Sequence, residues 1–427
     1  MSNLPYQDFR WLNDYMFKRI DWHNIDTENA YGYILEVDLE YPDHLHEQHT
    51  NFPLAPENVE VTFDDLSDFS KQSYMTLQNG IQYKDVKLVS TMYDRKRYVL
   101  HFKNLKLYLQ LGMKLTKIRR VLQFRQKRFI APFIEKCTEM RSNAKTKFEQ
   151  DQFKKVANCV YGKTIQNVRN YSRVKLHTTI DTLLRATSNS TYKNFTILGD
   201  GLVQTNHKIP KIFHDKPIYA GFAILELSKH FMFNFYYNVL TKNAKFNIDL
   251  GMSDTDSFLF KVSDGKKFRH HIRKFMDYSN FPTTNKFYSS ANKSKLGFFK
   301  DELAGKYKCL EFIGLKSKCY AMKLKTTNDD DDSEVDKKVC KGLGRVAIKN
   351  SLKFDHYKSS LLQGLYHRFD FHSIISKKHK IATMRLKKRA ITHFDSKRWI
   401  FPCGIHSAPY GSKSSIQKNR FICKKCC

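Results

Sequence analysis

The sequence predicts an α+β fold, and three segments carry that expectation. Gly32-Tyr33-Ile34-Leu35-Glu36-Val37-Asp38-Leu39-Glu40 reads as a strand bearing acidic residues, broken by Tyr41-Pro42. Apolar strand formers flank Asp254-Thr255-Asp256-Ser257 on both sides, which reads as a β-hairpin with carboxylates at its turn. Between the two, Lys154, Asn158 and Tyr161 stand at i, i+4 and i+7 and share one face of a helix. Gly162 follows where that helix would end or bend.

Each element has a chemical reading beside a plain structural one. Residues i and i+2 of a strand project the same way, so Asp254 and Asp256 would converge on one divalent cation, or on two about 4 Å apart, as in-line phosphoryl transfer requires. An ordinary acidic turn is the competing reading of Asp-x-Asp alone. On the helix, the cation of Lys154 would meet phosphates and the ring of Tyr161 would pack on a sugar or base. A solvated amphipathic helix is the alternative. Further on, Gly314-Leu315-Lys316-Ser317-Lys318-Cys319-Tyr320 places Lys318 and Tyr320 on one strand face if the stretch is extended. That pair would hold a primer phosphate and sugar, though the triplet alone carries little information.

A carboxylate strand, a basic helix, an Asp-x-Asp hairpin and a Lys-x-Tyr strand follow one another in that order. The succession resembles the polymerase half of family B DNA polymerases, above all the protein-primed group of bacteriophages, linear plasmids and large self-synthesising DNA transposons. Their motifs run Asp-x-x-Ser-Leu-Tyr-Pro, Lys-x-x-x-Asn-Ser-x-Tyr-Gly, Tyr-x-Asp-Thr-Asp-Ser and Lys-x-Tyr. The likeness spans roughly residues 9 to 411, and Leu296-Gly297-Phe298-Phe299-Lys300-Asp301-Glu302-Leu303 looks like a lead-in to the thumb of transposon-type members.

The resemblance, not periodicity, supplies a right-hand core of palm, fingers and thumb. Residues 1–42 would form the first palm segment, 43–105 an insertion and the approach to the fingers, and 106–165 the fingers. Residues 166–300 would return to the palm, and 301–427 would form the thumb and a basic tail. The fingers stretch reads helical, since Leu115, Ile118, Val121, Leu122 and Phe124 fall at helical spacing. Tyr219 to Leu240 reads as a buried helix supporting the palm.

The implied reaction is DNA-templated addition of deoxynucleotides to a 3′-hydroxyl with two Mg2+ ions, for which Mn2+ would substitute. Asp254 and Asp256, with Asp38 or Glu36, would be the catalytic metal ligands. Lys154, Asn158 and Tyr161 would bind the nucleotide, and Tyr41 would lie under its sugar and oppose a 2′-hydroxyl. Lys318 and Tyr320 would position the primer end, with Arg141 and Lys145 as lesser phosphate contacts. The first motif is altered. The family sets its aspartate five residues before the tyrosine, which lands on Glu36, whereas Asp38 is three residues before it. Glu36 has the better register and Asp38 the better chemistry. The partners implied are a DNA template-primer, deoxynucleoside triphosphates and, in protein-primed members, a priming terminal protein. A catalytically decayed DNA-binding remnant of a mobile or viral-type element is the alternative. The first motif begins about 35 residues from Met1, which leaves little lead for the exonuclease domain that family B enzymes carry, so none is expected.

Composition agrees. The net charge of +32 predicts long-range, salt-sensitive attraction to a polyanion. It is concentrated: residues 103–163 hold sixteen Lys or Arg against four Asp or Glu, and residues 377–427 hold fourteen against one. No apolar signal segment opens the chain and no run of about 20 apolar residues occurs, so a membrane partner is not expected and an intracellular location, nuclear or cytoplasmic, is. Nine scattered cysteines fit reduced thiols better than a disulfide framework. Cys403-x-x-His406 and Cys423-x-x-Cys426 have the spacing of a zinc knuckle, weighed against the ordinary end of a transposon-type polymerase. His44, His46 and His49 read as a polar loop, and Asn328 to Glu334 as a solvated acidic loop tip.

Overall fold

The computed structural model describes residues 2–77, 83–242, 244–293, 295–327, 333–377 and 380–413. The chain divides into two units, one of Met1–Ala131, Ala223–Phe369 and Arg389–Cys427, the other of Pro132–Phe222 with Asp370–Lys388.

The first unit begins with β1 (Leu4–Leu12), the short helix α1 (Asp14–Phe17) and β2 (Tyr31–Glu40). There follow α2 (His46–His49), β3 (Glu57–Thr62), α3 (Asp68–Leu77), β4 (Lys84–Val89), β5 (Arg95–His101), α4 (Phe102–Gln110) and β6 (Lys114–Lys127). Strands β1, β6, β2 and β5 lie side by side in that order, each pair antiparallel, while β3 and β4 form a separate ribbon. Leu35, Val37 and Leu39 of β2 are almost wholly buried beside Leu100 and Val121. Removing such a side chain from water contributes roughly 1.5–3 kcal/mol. Glu36 and Asp38, at the alternate positions, point to the opposite face.

The segment from Leu115 to Phe124, whose apolar spacing predicts helix, is strand instead. Its β-branched Thr116, Ile118 and Val121 suit an extended chain. β6 also pairs with β1 on one side and β2 on the other, and two full ladders outweigh a spacing that fits either structure.

In the second unit, α5 (Ala131–Asn143) and α6 (Lys147–Thr164) precede β7 (Ser172–His177), α7 (Ile180–Thr187), β8 (Tyr192–Gly199) and β9 (Leu202–Lys208). The three strands make an antiparallel sheet in the order β7-β9-β8. A capping box opens α6: Thr146 accepts from the Glu149 N–H while the Glu149 carboxylate accepts from the Thr146 N–H.

Helix α8 (Ile218–Asn234) runs into a π-helical turn, Phe235–Leu240. Phe233, Phe235, Tyr236, Tyr237 and Leu240 join the same core as Leu35 and Val37. The remaining elements are the hairpin β10 (Ile248–Asp254) and β11 (Ser257–Val262), α9 (Gly265–Ile272), the sheet β12 (Tyr307–Lys316), β13 (Cys319–Thr326) and β14 (Glu334–Cys340), then α10 (Arg345–Asn350) and α11 (Phe354–Gln363). β15 (His367–Lys377), β16 (Lys380–Ile391), β17 (Trp399–Ile400) and β18 (Ser407–Ala408) complete the described chain. Ile313, Leu315, Ala321, Leu352, Tyr357 and Ile391 form a second core at the β12–β14 sheet. Among the described residues no helix is long and apolar enough to cross a membrane.

Candidate functional site

Two hairpin tips meet in the first unit. Strands β10 and β11 are joined by two residues, Thr255 and Asp256, with Asp254 opposite Ser257. Thr255 has φ 54°, in the left-handed region, where two-residue hairpins place a central residue so that the turn matches the strand twist. The Asp256 N–H donates to the Asp254 carbonyl at 2.6 Å. Asp254 therefore ends a strand while Asp256 sits exposed in the turn, rather than both lying on one strand face. Below them, Phe258 packs edge-on to Phe52 at 5.5 Å and Phe260 to Phe268 at 5.4 Å, which anchors the hairpin on the main core.

The second tip is the turn between β12 and β13. Lys316 pairs with Cys319, which leaves Ser317 and Lys318 as the loop, with Lys318 at φ 57°. Lys318 is thus a turn residue and Tyr320 a strand residue opposite Gly314, not two neighbours on one extended face. The Lys318 Nζ donates to both carboxylate oxygens of Asp254, at 2.5 and 2.8 Å. Glycine permits this approach. A Cβ on Gly251 would stand 3.1 Å from the Phe312 ring of β12, so the two hairpins abut at that phenylalanine. Tyr320 lies beside the same ring, 6.1 Å between centroids.

The acidic strand is engaged differently. Arg119 donates from Nε and Nη2 to the two oxygens of Asp38, at 2.8 and 2.7 Å, and the Arg97 N–H donates to Oδ1 at 2.8 Å. The Arg119 guanidinium beside Asp38 holds its carboxyl well below the usual carboxylate range. Glu36 accepts from Arg97 Nε and Arg120 Nε, both at 2.6 Å, and its pKa is lowered by the Arg97 contact first and by Arg120 second. These three arginines escape a reading of the sequence because they belong to β5 and β6, whose register against β2 only the fold reveals.

Tyr41 is a core residue, 3% exposed. Its hydroxyl bonds His49 Nδ1 at 2.9 Å and accepts from the Leu54 N–H at 3.3 Å. His46 and His49 are not a polar loop: both are buried in α2 against the Tyr41 ring. Burial pulls the His49 pKa down to about 4. In the second unit, Lys154, Asn158 and Tyr161 all lie within α6, the first two exposed and Tyr161 partly covered. The helix runs through Gly162 to Thr164. Arg141 lies in the last turn of α5, and Lys145, between the two helices, donates its N–H to Glu149 of α6.

Magnesium takes hard carboxylate oxygens. The hairpin offers them, since Asp256 is exposed and Asp254 is engaged by a lysine itself 46% exposed. Glu36 and Asp38 do not fit as they stand, their oxygens being held by guanidinium groups. Among the described residues no three His, Cys, Asp or Glu side chains gather as a metal-binding group. Cys403 Sγ lies 3.6 Å from His406 Nδ1, and the Cys423-x-x-Cys426 pair falls outside the described residues, as do residues 328–332 of the acidic run.

No family model matches the chain, and no curated protein matches its sequence. Its fold, however, is like that of solved structures of phi29 DNA polymerase. The orthorhombic crystal form is 13% identical with a TM-score of 0.52, covering 91% of this chain and 55% of that one. The ternary complex with primer-template DNA and incoming nucleotide substrates is 12% identical with a TM-score of 0.51, covering 91% and 54%. The post-translocation binary complex with primer-template DNA gives 12% and 0.50, with the same coverage as the ternary complex. The chain spans about half the length of these polymerases, and the described residues have a mixed helix-and-strand fold of DNA polymerase type.

Proposed function

We propose that the chain is a DNA-directed DNA polymerase of the protein-primed family B type, a nucleotidyltransferase that takes a DNA template-primer and deoxynucleoside triphosphates. The observation that carries this reading is the meeting of Asp254 with Lys318. The two motifs that the resemblance assigns to metal and primer lie 64 residues apart in sequence and come together at adjacent hairpin tips. The polymerase-type fold supports the same reading.

Asp254 and Asp256 would hold the divalent cations, with Mg2+ the natural ion and Mn2+ a substitute. When bound, such ions lower the pKa of the attacking 3′-hydroxyl and neutralise charge on the triphosphate. Lys318 would bind the primer phosphate and Tyr320 the primer sugar. On α6, Lys154 would pair with the triphosphate while Asn158 and Tyr161 shape the nucleotide pocket. Tyr41, braced by Pro42 and bonded to His49, would keep the wall beneath the sugar rigid. A priming terminal protein is a further proposed partner.

One observation favours a second reading, a DNA-binding remnant without catalysis. Both acids of β2 already have arginine partners, so the first metal ligand of the family pattern is engaged. Primer extension with purified protein, with and without Mg2+ or Mn2+, separates the two. Template-directed, metal-dependent incorporation supports the polymerase. Binding of primer-template with no incorporation under either ion supports the remnant.

A further inference from the structure

The face of the four-stranded sheet that bears Glu36 and Asp38, the acids the resemblance assigns to metal, holds them in an arginine cluster that suits a different ligand. Glu36, nine-tenths buried, stands between two guanidinium groups, Arg97 and Arg120, and bonds each through Nε only. The side chains of these arginines are 66% and 61% exposed. Arg97 has φ 55° within β5, a strained backbone for a side chain of this size, and its N–H is held by Asp38. The next guanidinium, Arg119, forks onto Asp38. Two carboxylates set into the sheet thus orient three arginines, and the cluster keeps a net positive charge.

Beside it lies an aromatic surface. The Arg120 guanidinium sits 5.9 Å from the Trp11 ring centroid, and the indole is 63% exposed on β1. Strand register places Trp11 opposite Leu122, which in turn faces Ile34, one row from Arg120, Glu36 and Val99. Tyr15, four residues beyond Trp11, is 64% exposed and carries the Arg19 guanidinium 3.9 Å over its ring. An indole or phenol ring, apolar in body and polar at its tip, is suited to contact a partner where it stands exposed.

We infer that this face binds single-stranded nucleic acid, with a base stacked on Trp11 and phosphates on the outer nitrogens of Arg97 and Arg120. The pairing of phosphate-sized cations with an aromatic platform suits a strand whose bases are unpaired. Charge selects a polyanion: the whole chain carries +32, and Arg97 and Arg120 are well exposed while the two acids that orient them, Glu36 and Asp38, are buried. Duplex DNA, with its bases stacked inside, would meet only the arginines.

Trp11 reports on its own occupancy, because Trp22 is buried and Trp399 partly so. Titrating the full chain with a short oligodeoxythymidine, in the absence of divalent ions and nucleotides, should quench its tryptophan fluorescence. Trp11→Leu should abolish most of the quench and weaken binding roughly tenfold, as losing one base–aromatic stack does. Arg120→Gln should lower the slope of log affinity against log salt by about 0.7, the value for one single-strand phosphate contact. Arg120→Lys should restore that slope, which separates lost charge from a disturbed fold. Equal affinity and slope in Trp11→Leu and Arg120→Gln would overturn the assignment, and so would equal quenching by a polyglutamate peptide. Because no synthesis is measured, failure here leaves the polymerase proposal standing, and a chain inert in primer extension leaves this one standing.

Discussion

Lys318 and Asp254 are bound to each other by both carboxylate oxygens, although each belongs to the turn end of a different hairpin. The pair is well exposed, so its net contribution to stability is small, about 0–1 kcal/mol. An ion pair of that strength is readily exchanged. Lys318 and a divalent cation therefore compete for the same carboxylate, and removing the lysine should favour the cation. Lys318→Met should tighten Mn2+ binding up to about fivefold, the equivalent of about 1 kcal/mol, in an isothermal titration without DNA. Adding Asp254→Asn to that variant should erase the gain. An unchanged Mn2+ affinity in Lys318→Met would show that the two do not compete.

Asp256 stands apart because its carboxylate is exposed in the turn. On the polymerase reading, Asp256→Asn should abolish incorporation, since losing a metal ligand removes several kcal/mol of transition-state stabilisation. Affinity for primer-template should hold within about twofold, because phosphate contacts by basic residues dominate it. A variant that extends a primer at the parent rate would move the metal site elsewhere.

How far the sequence reveals this site depends on whether the signal is local. The hairpin at Asp254-Thr255-Asp256-Ser257 is legible because strand formers flank a turn within a dozen residues. The α6 face is legible because helical periodicity puts Lys154, Asn158 and Tyr161 together. β6 is not, since Leu115, Ile118 and Leu122 satisfy a helical period and their strand state follows from ladders with β1 and β2 that are distant in sequence. The arginines of Asp38 and Glu36 are hidden for the same reason. Lys318 was legible as a residue but not as a turn, because the left-handed backbone there follows from the Lys316–Cys319 register and leaves no glycine mark.

The Arg119–Asp38 fork offers a test of whether the acidic strand is structural. Arg119→Met strands a carboxylate set into the sheet, whereas Arg119→Met with Asp38→Asn removes both charges. An unpaired buried charge is the expensive state, more so than an apolar pair of similar volume. The single variant should lose several degrees in thermal midpoint, and the double variant should recover a good part of it. Equal loss in both would mean that packing, not charge, holds Asp38. If Mn2+-supported extension survives in Asp38→Asn and fails in Glu36→Gln, Glu36 rather than Asp38 serves the reaction.

Acid should unfold this chain earlier than its carboxylates alone would dictate. Three histidines are held neutral by burial, His49 and His101 fully buried and His230 in α8 partly so: burial lowers His49 and His230 to about 4 and His101 to about 3, against 6.5 when free. Below pH 6.5 the unfolded chain takes up protons at these sites and the folded chain does not, so stability falls as pH falls. The loss starts near pH 6.5 and continues until each folded pKa is reached, between pH 4 and 3. At pH 5 each site should have lost roughly 1–2 kcal/mol, given 1.36 kcal/mol per pKa unit. The carboxyl of Asp38, held low by Arg119, adds its own loss only below its free value of 3.8. Urea midpoints between pH 7.5 and 5 should therefore decline steadily, with His101→Phe flattening the slope. A midpoint constant over that range would mean that these histidines are charged in the folded protein, contrary to their burial.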